Sequence, residues 1–479
     1  MRPLLPRQKA EGADKLNKLQ NGLVRVTLLG AGLSVLCASA SAAPAASGKP
    51  PQVEGFTYVT TLGGVAEYRL DSNGLDVLIK TDHSAPVVTF NVMYHVGSRN
   101  EVTGTTGSTH LLEHMMFKGS EHYNKNLGNG IDSELDKLGA SFNATTSEDR
   151  THYFATLGRD NLERYIAVES DRMRNLWLHD PDRQAEMTVV RNEYERNEND
   201  PADVLYKDVI ATAYQAQPYH HPTIGWRSDI ENVPTEKLKE FYDTFYWPDN
   251  ATAILVGDID PARVLGIIRK YYGPIPRSPR PIPQIYTKEP PQQGPRRVVV
   301  KRAGQVGHVL IAYKGPDARD PDSAALEVLG LILGTGQNSR LSRALVDSSL
   351  ATGVAVFHGS TRDPGPIIIE MTDAPGVRQQ QVEDAVHAEL GHLRAEGVTA
   401  EELNRAVAQY RTDMAYRRDG TMGVTRELNE WAAAGDWTLY ARFPDEVLKV
   451  SAADIQRVAK KYLDEDQSTT GWFVPVVKK

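Results

Sequence analysis

The chain has 479 residues, 40% hydrophobic and 24% charged, with a formal net charge of −8 and a single cysteine. That length exceeds one ordinary domain and points to two or three. The acidic balance argues against nucleic acid as a partner, since nucleic-acid binders present basic patches to phosphate.

The N-terminus departs from this composition. Residues 1–25 are polar and basic, and residues 26–38 (VTLLGAGLSVLCA) form an apolar run of 13, too short for an ordinary transmembrane helix. Ala38-Ser39-Ala40 and Ala40-Ser41-Ala42 then offer A-x-A cleavage sites. Residues 1–42 therefore read as a secretory signal peptide with a long n-region, against the competing reading of a signal anchor. Residues 43–54 would be a flexible mature N-terminus. The expected location is periplasmic or secreted, with no stable membrane span after cleavage. Up to Ala42 six Lys/Arg stand against two Asp/Glu, a net of +4, so the remainder carries −12. The only cysteine, Cys37, lies inside the apolar run, and Leu36 before it is larger than a lipoprotein signal wants. Its removal leaves no thiol, which excludes a cysteine nucleophile.

Segments 74–82, 86–96 and 251–259 are rich in β-branched residues with partial alternation and read as strands. Segments 132–140 and 235–246 read as helices. Between the first strands and these helices lies HLLEH at 110–114, inside GSTHLLEHMMFKGS. His110 and His114, four apart, share one helix face, so both imidazoles can reach one metal ion. Glu113 projects near the same face, where a carboxylate beside a metal-activated water acts as general base. This H-x-x-E-H order inverts the commoner H-E-x-x-H helix. Gly107-Ser108-Thr109 supplies N-cap candidates, and Gly119 is a C-terminal stop signal.

Zinc hydrolysis needs a third protein ligand and an open position. The best candidate is Glu193, on a helix read from about Asp182, its expected N-cap, to about Asn197. Val189 and Val190, one turn earlier, are expected to share its inward face. Glu186, two turns back on that face, is placed to hydrogen-bond a ligand histidine. Glu195 and Glu198 read as solvated surface. FNATTSEDRTHYFATL (142–157) alternates polar and apolar residues and suits an exposed sheet edge, where an extended peptide can add through main-chain hydrogen bonds. His220 and His221 sit in a turn-like stretch that could line the cleft, with a packing or solvated role as the preferred reading. His83, His179, His387 and His392 read as surface. Phe241, Tyr242, Phe245, Tyr246 and Trp247 have helical spacing that suits core packing.

The second half echoes the first. VPTEKLKEFYDTFYWPDNATAILVGD (233–258) matches VSAADIQRVAKKYLDEDQSTTGWFVP (450–475) at a constant offset of 217 residues, each a Thr/Ser-capped helix followed by a strand. Segments 87–101 and 307–321 both read as a strand running into a polar turn. Residues 273–296 are rich in proline and read as an extended linker. The organisation expected is two α+β domains of like fold, residues 55–272 and 297–479, only the first carrying the metal motif.

HLLEH with FKGS following, FNATTSEDRTHYF at 142–154 and VVRNEYE at 189–195 together resemble the pitrilysin/insulysin peptidases (family M16, the inverzincins), in the branch of mitochondrial processing peptidases and their bacterial relatives. The resemblance covers the chain from about residue 55 onward. It implies His110, His114 and Glu193 as ligands of one zinc ion per chain, Glu113 as catalytic base and Glu186 as its supporting acid. It implies a metalloendopeptidase that acts on small or unfolded peptides. The substrate-facing edge would be Phe142, Asn143, Ala144 and Thr145. The fold implied is a pair of mostly antiparallel sheets backed by helices, enclosing a chamber.

One stretch departs from the family. Self-sufficient members carry an Arg and a Tyr, seven residues apart, after a Gly-rich turn of the type LGTGQNSRLSRAL, present at 333–345. The matching positions are Val346 and Gly353, which offer no such groups, although Arg340 and Arg343 lie nearby. The expectation is a heterodimer in which a paralogue lacking H-x-x-E-H supplies the pair. The competing reading is a non-catalytic peptide-binding or structural subunit.

Overall fold

The computed structural model describes residues 51–476; the leader, Cys37 and most of the expected mature N-terminus lie outside them. The described residues all belong to one compact unit. The first half contains strands β1 (Phe56–Leu62), β2 (Val65–Leu70), β3 (Asp76–Thr81), β4 (Val87–Tyr94), β5 (Ser141–Thr146), β6 (Thr151–Gly158) and β7 (Ala251–Gly257). Its helices are α1 (Ser108–Met115), α2 (Ile131–Lys137), α3 (Leu162–Arg174), α4 (Asp180–Glu198), α5 (Pro201–Ala213), α6 (Arg227–Asn232), α7 (Thr235–Phe245) and α8 (Pro261–Tyr272). The second half contains β8 (Arg296–Ala303), β9 (His308–Lys314), β10 (Ala351–His358), β11 (Pro366–Asp373) and β12 (Ser468–Val476), with α9 (Ser323–Gly334), α10 (Gln379–Glu396), α11 (Ala400–Arg417), α12 (Gly420–Ala433), α13 (Leu439–Val447) and α14 (Ala452–Tyr462).

The two sheets share one topology. The first runs β1-β2-β3-β7-β4-β6-β5 and the second β10-β11-β9-β12-β8. Read from the other end, the second reproduces the last five strands of the first, β3-β7-β4-β6-β5. Each sheet has one parallel pair, β3 with β7 and β8 with β12, and is otherwise antiparallel. The fold is therefore mixed α/β with two like sheets, each backed by helices. The offset of 217 is kept by the elements themselves, since α7 and α14, and then β7 and β12, start 217 residues apart. Their caps differ: Ser451 accepts from the Asp454 N–H in a capping box, whereas the first helix has Pro234 at its N-cap and Thr235 instead donates to Asp180 Oδ1.

The halves exchange helices, which sequence spacing does not reveal. α5 lies in the first half of the chain but packs on the second sheet: Val204, Leu205, Val209, Ile210 and Ala213 bury against Val300, Leu310, Ala312, Ile368 and Phe473. Gly471 of β12 permits this approach, because a Cβ there would lie 2.2 Å from a Val209 methyl. In return α12 crosses to the first sheet. Thr421 meets Thr89 at 2.8 Å, and Asn91 Nδ2 donates to Asn429 Oδ1 at 3.1 Å. The amphipathic α14 keeps Ile455, Val458 and Ala459 buried on its own side. Residues 273–295 connect α8 to β8 with no regular element. Among the described residues no helix is long and apolar enough to cross a membrane.

Candidate metal centre

α1 is short and two-faced. Leu111, Leu112 and Met115 are almost wholly buried, and they fix which way His110, Glu113 and His114 point. The helix starts at Ser108 and stops at Met115, four residues before Gly119. Its N-cap, Gly107, makes no side-chain cap bond. The buried Glu101 carboxylate does that work by accepting from the Gly107 N–H at 2.8 Å and the Thr109 N–H at 2.7 Å. Burial outweighs these bonds and pushes the Glu101 carboxyl up to about 8. Gly107 has φ +86°, and a Cβ there would lie 2.4 Å from the Ile224 carbonyl oxygen, so only glycine fits this entry to the helix.

The structure brings His110, His114 and Glu193 together: one ligand atom from each lies within 4.8 Å of the others. Both histidines turn Nε2 toward the same Glu193 oxygen, each at 3.9 Å. Burial, with His114 alongside, lowers the His110 pKa to about 4, so its imidazole is neutral. His114 Nδ1 lies 3.0 Å from Glu186 Oε2. Burial raises the Glu186 pKa, but the bonds to His114 and Lys118 outweigh it and hold the carboxyl ionised. The ionised carboxylate accepts a hydrogen bond from Nδ1–H, which leaves the Nε2 lone pair free. Two imidazoles and a carboxylate on facing helices form the donor set that suits zinc, and the residues present fit the ion.

Glu113 sits beside this cluster, 8% exposed, and accepts a 2.7 Å bond from the Thr146 hydroxyl. Thr146 ends β5, which among the described residues pairs only with β6 and is the edge of its sheet. On that edge Asn143 is exposed, Ala144 is buried and Phe142 stacks on Phe117 with centroids 6.2 Å apart. Thr145 is occupied within the chain: its Oγ1 bonds Arg150 at 2.6 Å and His152 at 2.8 Å. A cleft of about 450 Å³ opens at His110 and Glu193 and is bounded by Tyr206 and His221 from the first half and Phe357 and Thr361 from the second.

Several sequence expectations need correcting. The helix carrying Glu193 begins at Asp180 with His179 as N-cap; Asp182 lies within its first turn, because Pro181 is accommodated there. Val189 is 47% exposed; the turn of 100° per residue leaves only Val190 facing inward. Glu198 is not free surface, since it accepts from Lys207 and, at 3.1 Å, from Arg302 of the second half. His220 and His221 line the cleft, with His221 4% exposed. Tyr242, Phe245 and Tyr246 are core residues as expected. Arg340 is consumed by Glu402, Glu389 and the Gly397 carbonyl. Thr146, Glu101 and Arg150 were missed. Thr146 adjoins the named edge, but nothing in the residue order points to a cap arriving from Glu101.

Residues 76–226 match the family described as Insulinase (Peptidase family M16), and residues 232–410 match the Peptidase M16 inactive domain. The zinc protease PqqE of Helicobacter pylori is 30% identical over 409 residues, covering 84% of this chain and 91% of that protein. The mitochondrial-processing peptidase subunit beta of Lentinula edodes is 26% identical over 427 residues, covering 86% and 90%. A crystal structure of a protease from Helicobacter pylori superposes with a TM-score of 0.81 at 29% identity, covering 88% of this chain and 99% of that one. The chain belongs to peptidase family M16, whose structures have two homologous domains.

Proposed function

We propose that this chain is a zinc-dependent endopeptidase that cleaves small or unfolded peptides. The observation that carries the reading is the convergence of His110, His114 and Glu193 beside Glu113, at the end of an edge strand. A bound zinc ion would be held by these three side chains and would supply Lewis-acid polarisation and an activated water. Glu113 is placed to take the water's proton and return it to the leaving amine, with no covalent intermediate on the protein. The Thr146 hydroxyl orients that carboxylate. β5 offers its free edge to an extended peptide, with Phe142, Asn143 and Ala144 alongside.

The second domain supports a partner. Val346 is exposed, Gly353 has no side chain and Arg340 is bound within its own domain, so the described residues put no Arg/Tyr pair at these positions. We infer a heterodimer with a paralogue that lacks H-x-x-E-H and contributes that pair. The leader read in residues 1–42 would deliver the chain to the periplasm or outside the cell.

Glu113→Gln tests the function. The variant is expected to bind zinc as the parent does and to lose about 100-fold or more of its peptide cleavage. Normal cleavage by the variant would remove Glu113 as the base.

A further inference from the structure

Behind α1 lies a buried charge that the chemistry above does not use. Arg172 of α3 is 1% exposed. Its Nε and Nη2 donate to the two oxygens of Glu169 at 3.0 and 2.5 Å. Its Nη1 lies 3.5 Å from the Met116 carbonyl, where α1 ends. Its guanidinium stands 5.0 Å from the Phe117 ring centre and 4.4 Å from that of Tyr153.

These contacts join two elements that must keep their distance. Met116 and Phe117 belong to the end of the helix that carries Glu113. Tyr153 belongs to β6 and stands opposite Ala144 of the β5 edge. Phe117 in turn stacks on Phe142 of that edge. A planar cation can donate to a helix-end carbonyl and lie over two rings at once, which neither an apolar side chain nor a lysine reproduces. A buried ion pair costs desolvation that an apolar pair of equal volume avoids, so stability alone does not account for it.

We propose that the Arg172–Glu169 pair is a positioning device that sets Glu113 on α1 against the β5 edge, and with it the wall of Phe117 and Phe142. Neither residue touches the reacting groups. The kinetic consequence rests on the peptidase function proposed above.

Two variants of the full chain test it. Arg172→Lys keeps the buried charge but loses the fork and the planar stack. Arg172→Met with Glu169→Gln leaves no buried charge. In either, zinc affinity and KM are expected to stay within about threefold of the parent while kcat per zinc-loaded molecule falls about tenfold or more. A crystal structure of the folded variant is expected to show the Glu113–Thr146 bond broken from its 2.7 Å. A purely structural role would lower the melting temperature and the zinc-loaded fraction and leave kcat per loaded molecule unchanged, which overturns the proposal. An intact Glu113–Thr146 bond also overturns it. A parent that binds zinc but cleaves nothing overturns the peptidase function instead, and the crystallographic distance then still decides the positioning role.

Discussion

Arg150 and Glu430 join the two halves of the chain at the strand proposed to receive substrate. Arg150 Nη2 donates to Glu430 Oε1 at 2.7 Å and Nε to the same oxygen at 3.1 Å. The other guanidinium nitrogen, Nη1, donates to the Thr145 carbonyl at 3.1 Å and to its hydroxyl at 2.6 Å. Helix α12 of the second half is thereby coupled to the end of the β5 edge. The Asn91–Asn429 and Thr89–Thr421 contacts run along the same helix.

Loss of this link is expected to weaken peptide binding more than chemistry. Arg150→Met should raise KM about fivefold with zinc content unchanged, since the pair is partly shielded and worth about 1 kcal/mol. Glu430→Gln should raise it less, and the double variant should fall short of the sum of the singles. Steady-state kinetics of the three variants check this.

Glu186 fixes the tautomer of His114 without being a ligand. Glu186→Gln is expected to weaken zinc binding about 10- to 100-fold while leaving the fold intact. Competition against a chelator of known affinity measures the change. Unaltered affinity would show that His114 needs no carboxylate behind it.

The Arg340–Glu402 pair predicts a pH-dependent contribution to stability. The hydrogen bond from Arg340 holds the Glu402 carboxyl at about 2, below its ordinary 4.5. A carboxyl depressed in the folded state stabilises the fold fully above 4.5, and that contribution disappears as pH falls toward 2. Glu402→Gln should therefore melt lower than the parent at pH 7, and the gap should narrow below pH 4.5. Thermal melts of both proteins across that range test the sign.

The absent Arg/Tyr pair can be put back. Gly353 lies in β10 with open space where a Cβ would stand, so a side chain can leave the backbone there without a clash at its first atom. Val346→Arg with Gly353→Tyr is expected to raise cleavage by the isolated chain about tenfold, by adding substrate contacts of the kind a partner would bring. No gain, together with full activation by a paralogue, would mean these two positions do not face the peptide.

The metal helix and the chain's internal repeat were legible in the residue order. His110 and His114 declare themselves by spacing, and the 217-residue offset reappears in α7 and α14. Glu193 and Glu186 followed from a helix face, and their approach to the histidines is a matter of geometry that periodicity leaves open. The start of α4 was misplaced because proline sits in its first turn, and the start of α1 lay among the expected Gly107-Ser108-Thr109 although its capping group, Glu101, comes from afar. The exchange of α5 and α12 between sheets was hidden because an amphipathic pattern says that a face is buried and not against what. Glu198 was misread as surface for the same reason: its partner Arg302 lies 104 residues away.

The central claim is that three side chains from α1 and α4 grip one zinc ion. The most direct measurement is the zinc-to-protein ratio of the purified chain and of Glu193→Ala after equilibration in the same zinc-buffered solution. About one zinc per parent chain, and little in the variant, is the expected result. An empty parent, or a variant that holds zinc as tightly as the parent, would contradict it.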